Sequence, residues 1–156
     1  MLPLIALSLL APSASNVSTM ITQPAEPKIE LKLASDSVRR GGELAGTVVV
    51  TFAPGVHGYP NPPGRDYEIP LEVKSSVRTM ALSHVAYPKG KEIDFAGSKT
   101  LAYEGRVEIP FRARIRTKQA GPFAGSIEVS YQQCDDSSCY PPSSQVIPIR
   151  VTLTKG

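Results

Sequence analysis

Residues 106–116 read Arg-Val-Glu-Ile-Pro-Phe-Arg-Ala-Arg-Ile-Arg, and their alternation sets the pattern for the chain. Val107, Ile109, Phe111, Ala113 and Ile115 fall on one side of an extended backbone; Arg106, Glu108, Arg112, Arg114 and Arg116 fall on the other. A period of two with one apolar face is that of a strand lying between core and water. The arginine side reads as a solvated sheet face in preference to an anion-docking surface. Outward from it the same period recurs. Ile29, Leu31 and Leu33 alternate with Lys28, Glu30 and Lys32, and Ile69, Leu71 and Val73 with Glu68, Glu72 and Lys74. Pro70 marks the latter strand as an edge or a bulge. Gly46 to Phe52, rich in β-branched residues, suits a central strand, and Met80, Leu82 and Val85 continue the pattern. Arg39-Arg40-Gly41-Gly42 and Gln119 to Pro122 read as turns. Strand-like runs recur at intervals of about ten residues with no helical period, which predicts an all-β, antiparallel sandwich of seven or eight strands.

Composition agrees. The 156 residues include 15 prolines, 12 glycines and no tryptophan, favouring turns and short strands, and the length suits one domain with a real core. A net charge of +3 from scattered basic residues gives no nucleic-acid or membrane-surface footprint. Met1 to Ala11 is apolar but short of the roughly 20 residues that span a bilayer. With the small residues that follow, it reads as a secretory signal over residues 1–15, although no Lys or Arg precedes the apolar stretch. Residues 16–26 read as a flexible leader and 27–156 as the domain. The expected location is periplasmic or secreted, where thiols meet oxidising conditions.

Both cysteines lie in Tyr131-Gln-Gln-Cys-Asp-Asp-Ser-Ser-Cys-Tyr-Pro-Pro142. Ile127, Val129 and Tyr131 alternate before it, and Ile147, Ile149, Val151 and Leu153 after it, so the segment reads as the turn region of a hairpin with one cysteine near each strand end. Such a turn can bring Cys134 and Cys139 within bridging distance. A disulfide closing so short a ring stabilises by only about 2 kcal/mol, and a partner thiolate can reach it in an exposed polar loop. Spacing and flanks leave a redox-active pair and a structural staple equally open. Asp135 and Asp136 beside Cys134 disfavour a thiolate, which suits a pair that depends on an activated thiol in its partner.

Tyr-Gln before the cysteine pair, Tyr-Pro-Pro after it, and their place at the end of a β-rich chain resemble the active hairpin of the N-terminal domain of the bacterial thiol:disulfide interchange protein DsbD. The resemblance implies an immunoglobulin-like sandwich and a protein-disulfide reductase component with no cofactor. Reducing equivalents would pass from a thioredoxin-like domain or membrane thiol reductase to oxidised periplasmic proteins, among them disulfide isomerases, cytochrome-maturation proteins and metal-stress proteins. It implies Cys139 as the sulfur attacked and Cys134 as the resolving thiol. Two proline- and glycine-rich loops carry the rest. Residues 53–65 hold Gly55, His57 and Tyr59 where the family has an aromatic-bearing segment. Residues 87–100, read as a long loop, hold Asp94, Phe95 and Gly97 in the order of the family's cap over the cysteines, with Ala96 where a second aromatic is expected. Phe95 would be a movable cover, and Tyr59, Tyr131 and Tyr140 would pack around the sulfurs unless they serve ordinary sheet packing. The chain ends at Gly156, so the family's membrane and thioredoxin-like parts would be separate polypeptides, or the chain is a stand-alone, monomeric relative.

Other chemistries fit less well. His57 and His84 lie far from the cysteines without paired-ligand spacing, which argues against a metal site. No nucleophile-bearing turn or phosphate-cradling loop is present. The rival from another class is an exported immunoglobulin-like binding module whose hairpin disulfide is purely structural.

Overall fold

The computed structural model describes residues 22–156. The expected signal, 1–15, lies outside the described residues, as does the leader up to residue 21. Eleven strands and no helix follow, and accordingly no helix among the described residues is long and apolar enough to cross a membrane. In chain order they are β1 (Lys28–Leu33), β2 (Ser37–Arg39), β3 (Glu43–Thr51), β4 (His57–Gly58), β5 (Glu72–Ser75) and β6 (Met80–Val85). Then come β7 (Lys91–Phe95), β8 (Ser98–Glu104), β9 (Arg106–Ile115), β10 (Gly121–Tyr131) and β11 (Ser143–Thr154).

Two four-stranded sheets, β1-β3-β9-β6 and β2-β11-β10-β5, form the sandwich. All pairings are antiparallel except that of β2 with β11. β9 shows why alternation dictates this architecture: its burial switches at every residue, with Ile109 and Ala113 fully buried and the arginines outside. Leu44, Val48, Val50, Ile109 and Phe111 of the first sheet join Val73, Ile127, Val129, Ile149 and Val151 of the second in one cluster. Burying such side chains is worth roughly 1.5–3 kcal/mol each, which offsets the entropy of ordering so many short strands. Outside, Glu43 sits 3.3 Å from Arg112 and 3.7 Å from Arg114, and Arg106 pairs with Glu108 at 2.7 Å. Exposed pairs of this kind contribute little; the arginine row is a solvated face.

Three expectations change. Gln119 to Pro122 is not all turn: Gly121 and Pro122 begin β10, opposite Leu153 and Thr152. The edge strand starts at Glu72, not near Ile69, because Pro70 has no N–H to donate and instead bridges Tyr59 in parallel. β5 does lie at a sheet edge. Residues 87–100 are not a loop: β7 and β8 pair from Lys91↔Ala102 to Phe95↔Ser98. A two-residue turn joins them, with Ala96 at φ 49° and Gly97 at φ 76°. Both central residues at positive φ define the turn whose twist matches a hairpin. β4 and β2, too short to show a period, join a third sheet, β4-β8-β7, and the second sheet's edge.

Candidate functional site

The β10–β11 hairpin pairs from Gly121↔Leu153 to Tyr131↔Ser143, and the cysteine segment is its closing loop. The cysteines therefore sit a few residues beyond the strand ends. They form a small antiparallel bridge of their own, Cys134↔Cys139, and a disulfide with a Cα–Cα separation of 4.0 Å. Cys134 is fully buried and Cys139 is exposed. Only one of the two sulfur-bearing residues is thus open to an incoming thiolate.

What buries Cys134 is the segment after β3. His57 N–H donates to the Cys134 carbonyl and Cys134 N–H to the His57 carbonyl, each at 2.9 Å. This close approach requires Gly58: a Cβ there would stand 2.6 Å from the Phe52 ring and 3.3 Å from the Gln132 carbonyl. One residue on, the Tyr59 hydroxyl lies 3.4 Å from Cys134 Sγ and 3.5 Å from Cys139 Sγ. With both sulfurs oxidised, only the phenol carries a hydrogen, so Tyr59 donates to the disulfide. Burial raises the Tyr59 pKa, with Glu68 adding to it, which keeps the hydroxyl a donor. The loop tyrosine and the cysteine pair, remote in sequence, meet here.

His57 is 3 % exposed, and its Nε2 has no hydrogen-bond partner among the described residues. Burial pushes its pKa down, against the opposing pull of the Glu104, Asp136, Asp135 and Glu68 carboxylates. Its ring meets Phe95 edge-on at 5.0 Å and Tyr59 at 5.8 Å. The tip of the β7–β8 hairpin therefore rests on His57, itself hydrogen-bonded to Cys134. Asp94 faces Lys99 across that hairpin and Gly97 forms its turn. Tyr131 belongs elsewhere: it is 1 % exposed in the sandwich core, and its hydroxyl accepts from Gln145 Nε2 at 3.1 Å. Tyr140 turns its hydroxyl to Asp135.

The loop between the cysteines is organised around Asp135. Its Oδ1 accepts from Ser137 N–H (2.8 Å), Ser137 Oγ–H (2.9 Å) and Ser138 N–H (2.8 Å), and its Oδ2 from Tyr140. These donors, Tyr140 foremost, hold the carboxyl far below the usual carboxylate range. Sequence reasoning registered Asp135 only as a charge; the Asp-x-Ser-Ser order is an Asx-turn signature that points to the cage. Two glutamines were also overlooked. Gln133 Nε2 donates to the Ala25 carbonyl and Gln145 Nε2 to that of Pro27, each at 3.0 Å, tying the chain before β1 to this end of the sandwich. Nothing in their spacing signals that role.

A two-sheet β domain with a half-exposed disulfide in its last hairpin, backed by a buried histidine and a tyrosine, defines a class of disulfide-bearing sandwich modules. Residues 20–150 match the family model of the thiol:disulfide interchange protein DsbD, N-terminal, and the chain belongs to that family. Among solved structures it is similar to the N-terminal periplasmic domain of ScsB from Proteus mirabilis, with a TM-score of 0.57 and 18% identity over 85% of this chain. The chain spans about half, 49%, of that structure. It is also similar to the Neisseria meningitidis DsbD N-terminal domain in the reduced form, with a TM-score of 0.50 and 16% identity over 81% of this chain and 90% of that one. At these identities the likeness speaks for the immunoglobulin-like fold. No curated protein sequence matches the chain.

Proposed function

We propose that this domain performs thiol–disulfide exchange through Cys134 and Cys139 in the periplasm, carrying reducing equivalents from a thioredoxin-like or membrane thiol donor to oxidised exported proteins. The observation that carries the reading is the asymmetry of the disulfide, one cysteine exposed and the other buried under Tyr59 and His57, in a chain of this family. The donor's thiolate attacks Cys139 Sγ, a donor–Cys139 disulfide forms, and the Cys134–Cys139 bond breaks with its electron pair on Cys134 Sγ. The Tyr59 hydroxyl, already directed at that sulfur, hydrogen-bonds the departing thiolate until solvent protonates it. The donor's second thiolate then attacks its own sulfur in the mixed disulfide, leaving the donor oxidised and both cysteines reduced. In the forward half, Cys139 as thiolate attacks an acceptor disulfide and Cys134 resolves the mixed disulfide. Phe95, resting on His57, is a cover over the reduced pair, and Asp94 and Gly97 set the hairpin that carries it.

The test is trapping. Cys134→Ala removes the resolving thiol, so the exported variant should accumulate mixed disulfides between Cys139 and its partners, released by reductant and absent from Cys139→Ala. Equal trapping by both variants, or by neither, would refute the assignment of Cys139 as the exchanging sulfur.

A further inference from the structure

Asp135 is a second candidate for a part in the exchange, and its geometry goes beyond a charge that happens to lie nearby. It adjoins Cys134 in sequence, inside the ring that the disulfide closes. That ring is further tied by Asp135 N–H donating to the Ser138 carbonyl at 2.9 Å and by Tyr140 N–H donating to the Gln133 carbonyl at 2.8 Å. Three donors within the ring and a fourth, Tyr140, just outside it fix the carboxylate's position. A carboxylate satisfied by that many donors does not protonate in any physiological range. The structure thus builds a fixed negative charge into the ring that the incoming thiolate must open. Among the described residues no cation forms an ion pair with it.

We propose that Asp135 is a specificity-determining residue: its caged carboxylate selects cationic over anionic thiols as reductants of the Cys134–Cys139 disulfide. The inference rests on the exchange reading and adds the chemical class of partner. A thiol surrounded by basic groups is favoured as its thiolate nears Cys139, while acidic thiols, such as small anionic carboxy-thiols, are repelled. Each reduction consumes two thiols, which leave as one disulfide while the domain gains two thiols. The same charge opposes thiolate formation in the reduced pair, so that pair persists as thiols.

Three small thiols test this: cysteamine (cationic), 2-mercaptoethanol (neutral) and 3-mercaptopropionate (anionic). Each rate is divided by the rate of the same thiol with a neutral linear disulfide. At low ionic strength the corrected rates should fall in that order, with about a threefold to tenfold step between successive thiols, as expected for one charge acting across several ångströms of wet surface. High salt should compress the series in the unaltered protein. Asp135→Asn, whose amide oxygen can still accept from Ser137 and Ser138, should compress it too and should move the pH profile of alkylation of the reduced pair to lower pH. Tyr140→Phe removes a donor but keeps the charge, and should alter all three rates alike. A flat series at low salt, or one that Asp135→Asn leaves intact, would overturn the proposal while leaving exchange standing. Failure of 2-mercaptoethanol to open the disulfide at all would overturn both.

Discussion

Tyr59 and His57 both adjoin Cys134, one through its hydroxyl at the sulfur and the other through its backbone. Tyr59 donates to both sulfurs, and a hydrogen bond to a developing charge is worth roughly 1.5–3 kcal/mol. Tyr59→Phe should therefore slow reduction by a neutral dithiol by about tenfold or more while changing stability little, as stopped-flow and denaturant titration would show; an unchanged rate would remove Tyr59 from the chemistry. His57 gives a pH signature. Burial lowers its folded pKa below the ordinary 6.5, so the unfolded chain takes up a proton first as pH falls. Its contribution to stability is complete above pH 6.5 and is lost progressively as pH drops through 6.5 toward the lower folded value. Urea denaturation between pH 8 and 5 should show a fall that His57→Gln lacks; parallel profiles for the two proteins would contradict it. At this scale the cysteines were legible directly from sequence. Tyr59 was reached only through resemblance, because nothing local in Gly-Val-His-Gly-Tyr says which remote segment it will touch. Tyr131 shows the converse: the resemblance offered it a place around the sulfurs with sheet packing as the alternative, and strand alternation points its side chain into the core.

Elements of secondary structure were legible wherever alternation ran long enough. β9 was plain along its ten residues, and β10 and β11 where Ile127 to Tyr131 and Ile147 to Leu153 alternate; β4, with two, carried no period to detect. The β7–β8 hairpin was hidden because its turn is Ala96-Gly97 instead of the Asn-Gly or Asp-Gly that usually announces such a turn. Ala96 at φ 49° bears a cost that Asn tolerates better, so Ala96→Asn should stabilise the domain by about 1 kcal/mol in thermal denaturation. No gain, or a loss, would mean that the turn is set by contacts other than its own backbone. The same hairpin carries Phe95 onto His57. Phe95→Ala should leave the fold intact and speed air oxidation of the reduced pair severalfold, measured by thiol alkylation; equal oxidation rates would rule out a protective cover. Gly58 is the hidden constraint of β4. Gly58→Ala forces the new methyl into Phe52 and toward the Gln132 backbone, and should cost about 1–3 kcal/mol and loosen the contact that buries Cys134.

Over the whole molecule, binary alternation was enough for the sandwich, since two half-apolar sheets have little choice but to cover each other. The third sheet was not foreseeable, because β4, β7 and β8 come together only after the main sheets fix the positions of the intervening chain. The disulfide lies at one pole of that sandwich and closes a sequence separation of five, so it stabilises the fold by only about 2 kcal/mol. A core of this extent should survive its reduction. The most direct test of a domain built for exchange is the reduction potential of the Cys134–Cys139 pair, equilibrated against a thioredoxin of known potential and followed by thiol alkylation. A value of roughly −270 to −120 mV, with the reduced domain still folded, is the expected result. A value below about −300 mV would mark a structural staple instead and contradict the exchange function.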